Sequence, residues 1–177
     1  MTRLNIPDQG TVLEGEQEIR AYLSQRGVVY QCWQAPAPLP KDADPDTILA
    51  AFKKDLDPLM AKGGYKTADV ISVYPDTEGL ATIRQKFLPE HTHSEDEVRF
   101  FVEGEGLFWF NLRGDEPVFS VLCQAGDLIS VPANTRHWFD LGPKAYVRAI
   151  RIFTDPAGWV ANYTGSGIDA SYNPEYL

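Results

Sequence analysis

Sulfur is scarce in this chain. Its two cysteines, Cys32 and Cys123, stand far apart and form no CxxC pair, which argues against a disulfide framework and a thiolate zinc site. Basic charge is in deficit as well. Sixteen Lys and Arg face 25 Asp and Glu, for a formal net charge of −9. Such a chain repels phosphate backbones and anionic lipid, so neither nucleic acid nor a membrane surface is an expected partner. No apolar run approaches the ~18 residues of a membrane span. The opening MTRLNIPDQG lacks the apolar stretch of a secretory signal, so the expected address is cytoplasmic. With 44% hydrophobic residues the chain is too apolar to be disordered, and 177 residues predict one domain, by default a monomer.

What is present divides near residue 67. Residues 1–66 read as a helical N-terminal part. In it, Glu14–Gln25 carries Ile19 and Leu23 at helical spacing, with Gly27 as its stop. Val28–Trp33 is a short strand, followed by the proline-rich run APAPLP. Asp46 or Thr47 then caps a second helix bearing Ile48, Phe52 and Leu56, which Pro58 bends or ends and Gly63-Gly64 closes. Residues 67–163 change to period two. Strands are predicted at 68–74, 80–87, 97–102, 106–112, 118–123, 127–131, 137–141 and 146–153, with Gly104-Glu105-Gly106 as a hairpin turn. Eight short strands at this spacing predict an all-β jelly roll or small barrel with minor helix. Residues 164–177 read as an irregular tail that packs on the surface or frays.

Histidine decides the chemistry. There are three: His91, His93 and His137. His91 and His93 stand at i, i+2, the spacing that puts two side chains on one face of a strand, and Glu97 follows with even parity. If the sheet curls, His137 on a later strand adds a third nitrogen. HxH alone arises by chance in alternating strands, but HxHxxxE with a distant His on a β-rich segment is far more specific. Three imidazoles and one carboxylate, all hard or borderline donors, suit a divalent first-row ion such as Fe, Ni, Mn or Co. An octahedral ion so held keeps two adjacent positions for a chelating substrate. Arg99 lies two residues past Glu97 and shares its face. It either stabilises an anionic substrate oxygen by charge-assisted hydrogen bonding or makes a salt bridge to a carboxylate. Arg151 is a second candidate cation, whereas Arg148 has the opposite parity.

These residues resemble the cupin pattern. Its first motif, G-x5-HxH-x3-E-x6-G, is met by His91, His93, Glu97 and Gly104, with Gln85 in place of the leading glycine. In the second, G-x5-PxG-x2-H-x3-N, Gly126, Pro132 and His137 match, and Asn134 and Leu141 stand for the second glycine and the asparagine. A double-stranded β-helix barrel is therefore implied. The runs EHTHSEDEVRFFVEGEGLFWF, DLISVPANTRHWFDLG and VRAIRIFTDPAGWVANY resemble the acireductone dioxygenase family, most strongly between Thr82 and Tyr163.

That resemblance implies a methionine-salvage enzyme holding one Fe(2+) or Ni(2+) on His91, His93, Glu97 and His137, with no organic cofactor. Its substrates would be O2 and an acireductone with a methylthio tail. The implied products are formate and 4-methylthio-2-oxobutanoate with iron, or formate, CO and 3-methylthiopropanoate with nickel. The resemblance gives Arg99 the role of forming the bound dianion, and it has Glu90 and Glu95 tune or load the metal from outside the ligand set. Phe87, Phe139 and Trp159 are expected to wall in the methylthio tail. Cupins share their ligands across many reactions, so a sugar-phosphate isomerase, a decarboxylase or a non-catalytic metal-binding cupin are the rival readings.

Overall fold

A computed structural model describes residues 1–34, 39–40, 42–155 and 159–172. Most of the proline-rich run and the last five residues of the tail lie outside the described residues. Strands dominate: β1 (Arg3–Ile6), β2 (Thr11–Leu13), β3 (Val29–Cys32), β4 (Thr67–Val73), β5 (His91–Thr92), β6 (Glu97–Phe110), β7 (Phe119–Gln124), β8 (Asp127–Val131), β9 (His137–Asp140), β10 (Val147–Phe153) and β11 (Asn162–Tyr163). The helices are α1 (Glu16–Ser24), α2 (Pro45–Ala51), α3 (Lys53–Gly63) and α4 (Leu80–Phe87).

Every pairing is antiparallel, and β6 belongs to two layers. Its first half lies between β8 and β10, giving the order β4-β10-β6-β8-β3. Its second half lies between β9 and β7, giving β11-β5-β9-β6-β7-β1-β2. The two layers face each other as a cupin barrel. The expected hairpin at Gly104-Glu105-Gly106 is therefore absent, because the flanking segments pair with other strands rather than with each other. The glycines serve the bend instead. Gly104 has φ +75°, and a Cβ there would lie 1.9 Å from the Tyr146 carbonyl oxygen. A bulge beside it sets Arg148 against Glu103 but Ala149 against Phe101, with Val102 as the extra residue.

The bulge shifts parity, which decides what faces the interior. Before it, Val98 and Phe100 pack outward on Ile48, Phe52 and Leu56 of the α2–α3 segment, while Glu97 and Arg99 point in. After it, Phe108 and Phe110 join the central core with Phe119, Val121 and Phe139. Leu107 and Trp109 turn outward, against Trp138 and the tail residues Ile168 and Tyr172. Each fully buried apolar side chain contributes about 1.5–3 kcal/mol, so the aromatic interior is a principal source of stability.

In the N-terminal part the strand expected at Val28–Trp33 forms as β3, and β1 and β2 are two further strands that the helical reading of residues 1–66 did not foresee. Helix α1 forms as expected and buries Ile19 and Leu23. The cap of α2 is Asp44, whose carboxylate accepts the Thr47 N–H at 2.7 Å, with Pro45 in the first helical turn; the expected caps Asp46 and Thr47 fall one or more residues inside. The predicted long helix breaks at Phe52 and passes through Pro58 without ending there. The predicted strand at 80–87 is α4. Leu80, Ile83 and Phe87 recur at helical spacing and pack on the central core, and Arg84 from the same helix donates to Asp140 and to the Gly142 carbonyl.

Candidate metal centre

Four side chains close on one point. His91 comes from the two-residue β5, His93 from the bend beyond it, Glu97 from the first position of β6 and His137 from the first position of β9. His91 and His137 face each other across the β5–β9 pair. The ligand atoms of the four residues lie within 4.8 Å of one another, and each residue is buried, at 1–6% exposure.

The hydrogen bonds around the imidazoles settle which nitrogen faces the centre. Nδ1 of His91 lies 2.8 Å from the Pro89 carbonyl oxygen, that of His93 3.2 Å from that of Val160, and that of His137 2.8 Å from that of Thr135. A neutral imidazole has one N–H, and each ring spends it on its carbonyl. The Nε2 lone pairs then point inward. Glu97 Oε2 sits 3.0 Å from Nε2 of both His93 and His137. With the rings neutral, acceptor faces acceptor, an arrangement that calls for a cation or a proton between them. Donors about 3.0 Å apart are also what neighbouring ligands at right angles show around an ion bonded at about 2.1 Å. These residues thus form a metal-binding site, and its nitrogen–oxygen donor set fits a first-row divalent ion.

Charge in the site is arranged to match. Burial and the neighbouring His137 push the His91 pKa down to about 4, which keeps it a neutral ligand. Burial also opposes charge on His93, but the adjacent Glu97 outweighs it and raises the pKa. Burial works against ionisation of Glu97, yet Arg99, His137 and His93 together hold its carboxyl well below the usual range. Arg99 Nη2 donates to Glu97 Oε1 at 2.8 Å. Its Nε and Nη1 are buried and have no hydrogen-bond partner among the described residues. An unmet donor on a buried cation is costly, and Arg99 carries two of them beside the metal-binding residues.

A cavity of about 210 Å³ opens over the centre, lined by His91, His93, Glu97, Arg99, Arg151 and the three rings Phe87, Phe139 and Trp159, with Lys86, Ala161 and Tyr163. Phe87 meets Phe139 edge-on at 6.2 Å, and the Arg99 guanidinium carbon sits 4.4 Å over the Phe139 ring. Gly106 makes room for that ring, since a Cβ there would lie 2.2 Å from Phe139 Cζ. Arg151 lines the cavity, but its Nε and Nη2 hold the Asp69 carboxylate at 2.8 and 2.5 Å.

A family model described as the ARD/ARD′ family matches residues 8–161. The chain belongs to the ARD/ARD′ family. An acireductone dioxygenase of Picosynechococcus sp. is 51% identical over 172 residues, 97% of each chain. That of Parvibaculum lavamentivorans is 52% identical over 174 residues, 95% of this chain and 94% of the relative. Among solved structures, an acireductone dioxygenase from Bacillus anthracis with a cadmium ion in its active center superposes with a TM-score of 0.84. It is 38% identical, covering 92% of this chain and 98% of that one.

In this ARD-family chain Glu90 and Glu95, the carboxylates flanking the histidines, part company. Glu90 is buried beside His91 and accepts from Asn111 Nδ2 at 2.6 Å, Thr164 Oγ1 at 2.6 Å, Ser166 Oγ at 2.9 Å and Arg136 Nη1 at 3.3 Å. Burial opposes its ionisation, but the hydroxyl and amide donors and Arg136 prevail and lower its pKa. Glu95 instead accepts the Asp155 N–H at 3.2 Å on the surface and does not line the cavity. Sequence reading missed Lys86, Ala161 and Tyr163 in the wall, and Asn111, Arg136, Thr164 and Ser166 around Glu90. No apolar periodicity marks them: Lys86 is a polar position of α4, Tyr163 belongs to the two-residue β11, and the others come from loops. The stretch read as an irregular tail that packs on the surface or frays is packed as far as Tyr172: Thr164 and Ser166 hold Glu90, and Tyr172 bonds Asp8 at 2.6 Å.

Proposed function

We propose that this chain is an Fe(2+)- or Ni(2+)-dependent acireductone dioxygenase of methionine salvage. Its substrate is 1,2-dihydroxy-3-keto-5-methylthiopentene. With O2 this gives formate and 4-methylthio-2-oxobutanoate in the iron form, or formate, carbon monoxide and 3-methylthiopropanoate in the nickel form. Each set of products contains every atom of substrate and O2. The observation that carries the reading is the Arg99 guanidinium, held by Glu97 beside a three-histidine, one-carboxylate centre with two nitrogens still unsatisfied.

His91, His93, Glu97 and His137 would hold the ion, which when bound supplies a template and a Lewis acid. The carbonyls of Pro89, Val160 and Thr135 keep the three rings in the ligating tautomer. Arg99 donates its free N–H groups to an anionic oxygen of the enediol and thereby favours loss of its second proton. The electron-rich dianion is the reductant and O2 the oxidant; the C–C bond of the former enediol breaks to give the iron products, and the adjoining C–C bond must break as well to give the nickel products, which releases the middle carbon as CO. Arg151, neutralised in part by Asp69, adds positive potential from the cavity wall. Phe87 and Phe139 give the methylthio tail a dry wall; sulfur gains about 0.3–1.5 kcal/mol against an aromatic edge.

Oxygen uptake with a synthetic acireductone tests this directly. Protein loaded with iron should consume O2 with the loss of one substrate per O2, and the nickel form should release CO. Substrate oxidation no faster than the protein-free background with either metal would refute it.

A further inference from the structure

Trp159 is expected to be part of an apolar wall, but the structure gives it a second property. Its indole Nε1 is buried and has no hydrogen-bond partner among the described residues. A buried indole N–H ordinarily finds an acceptor, because leaving it unmet forfeits a hydrogen bond that water would have made. The ring also has polar and charged neighbours. It stacks on the ligand His93, with centroids 6.0 Å apart and planes 24° apart. The guanidinium carbon of Arg99 lies 5.9 Å from its centroid, and that of Arg151 5.4 Å. Phe153 packs against its edge at 4.5 Å. Phe87 and Phe139, which meet edge-on in the same cavity, carry no polar atom on their rings. Three unmet donors therefore share one small chamber: Nε and Nη1 of Arg99, and Nε1 of Trp159.

We infer that Trp159 is a substrate-binding donor, its indole N–H bonding an oxygen of the enediolate head, while Phe87 and Phe139 take the tail. This rests on the acireductone reading above and assigns a contact within it. An oxygen-rich dianion has more lone pairs than one guanidinium and a cation can satisfy, and a neutral donor adds a directed bond without adding charge. A hydrogen bond to a charged acceptor is worth about 1.5–3 kcal/mol, or roughly 10- to 100-fold in kcat/KM.

The test exchanges the N–H without changing the shape. Site-specific replacement of Trp159 by 3-benzothienylalanine puts sulfur where the N–H was, and Trp159→Phe serves as a second variant lacking the donor. Both are loaded with iron, their metal content is measured, and kcat/KM is determined with the methylthio substrate and with an analogue whose sulfur is a methylene. The expected result is a full metal equivalent in each variant and a loss of about 10- to 100-fold for the benzothienyl protein on both substrates. Activity within twofold of the parent in that variant would overturn the inference and leave Trp159 as wall alone. A loss confined to the methylthio substrate would overturn it too, by moving the acceptor to the thioether. Inactivity of the parent protein on both substrates would instead be the failure of the acireductone reading, and it is seen before any variant is made.

Discussion

The two halves of β6 form opposite walls of the barrel and could hardly differ more. The first presents Glu97 and Arg99 to the interior, both at most 3% exposed. The second presents Phe108 and Phe110, both fully buried. One strand thus carries an ion pair and an aromatic core on either side of a single bend. The charged wall is tolerable because Glu97 and Arg99 pair with each other, and Glu97 faces the histidines with which it would share a cation. The aromatic wall keeps water out and so strengthens every charge interaction opposite it. Charge sits in one half, and the low dielectric that strengthens it comes from the other.

The contrast can be broken from either side. Removing the shared carboxylate should do most damage: Glu97→Ala is expected to lose nearly all bound metal and all turnover above background. It also leaves the Arg99 charge buried without its partner, at a cost of about 3–5 kcal/mol. Metal analysis and denaturant midpoints measure both, and a full metal equivalent in the variant would contradict the ligand assignment. On the aromatic side, Phe110→Ala should cost about 3–5 kcal/mol of stability while keeping its metal, because Phe110 stacks on Phe119 at 4.9 Å and the ring of the ligand His137 lies farther off, at 6.5 Å. Loss of metal without loss of stability would reverse the division of labour.

Smaller changes sharpen the comparison. Arg99→Ala should retain metal and lose about 100- to 1,000-fold in kcat, the usual consequence of removing a preorganised donor; near-normal turnover would reduce Arg99 to a salt bridge. Gly106→Ala joins the two halves, because its methyl would press on Phe139. About 1–3 kcal/mol of destabilisation is expected, together with a raised KM from the narrowed cavity, and an unaltered KM would remove Phe139 from the substrate wall. The smallest effect concerns acid. The folded-state pKa of Glu90 lies below its unfolded value, so its contribution to stability is complete above about pH 4.5. That contribution fades as pH falls through the lowered folded value. Glu90→Gln should therefore shrink the stability difference between pH 7 and pH 3, and an unchanged difference would acquit Glu90 of any part in acid lability.

Much of the site was legible because its signals are local. His91, His93 and Glu97 lie within one short run, and their i, i+2 and i, i+4 spacings report a shared face on any extended chain. Helix α4 was misread as a strand although Leu80, Ile83 and Phe87 keep helical spacing, because a run of apolar residues among strands invites the wrong period. The glycines of 104–106 show why a local signal misleads: a turn and a bulge both ask for positive φ, and only the pairing partners distinguish them. Nothing in the sequence around Glu90 announces Thr164 or Ser166, because loop residues carry no period.

Composition and spacing alone dictated a β-rich, acidic chain with a nitrogen–oxygen metal set and a nearby cation. These follow from residue types and from the repeat of the extended backbone, which hold whatever the fold. Tertiary structure alone decided that β6 runs unbroken through both layers, that each imidazole spends its proton on a carbonyl, and that Arg99 and Trp159 keep donors in reserve. Those facts depend on which distant segments meet, as Glu97 meets His137 across the barrel, and contacts of that kind are set by the packing of the whole chain rather than by any window of it.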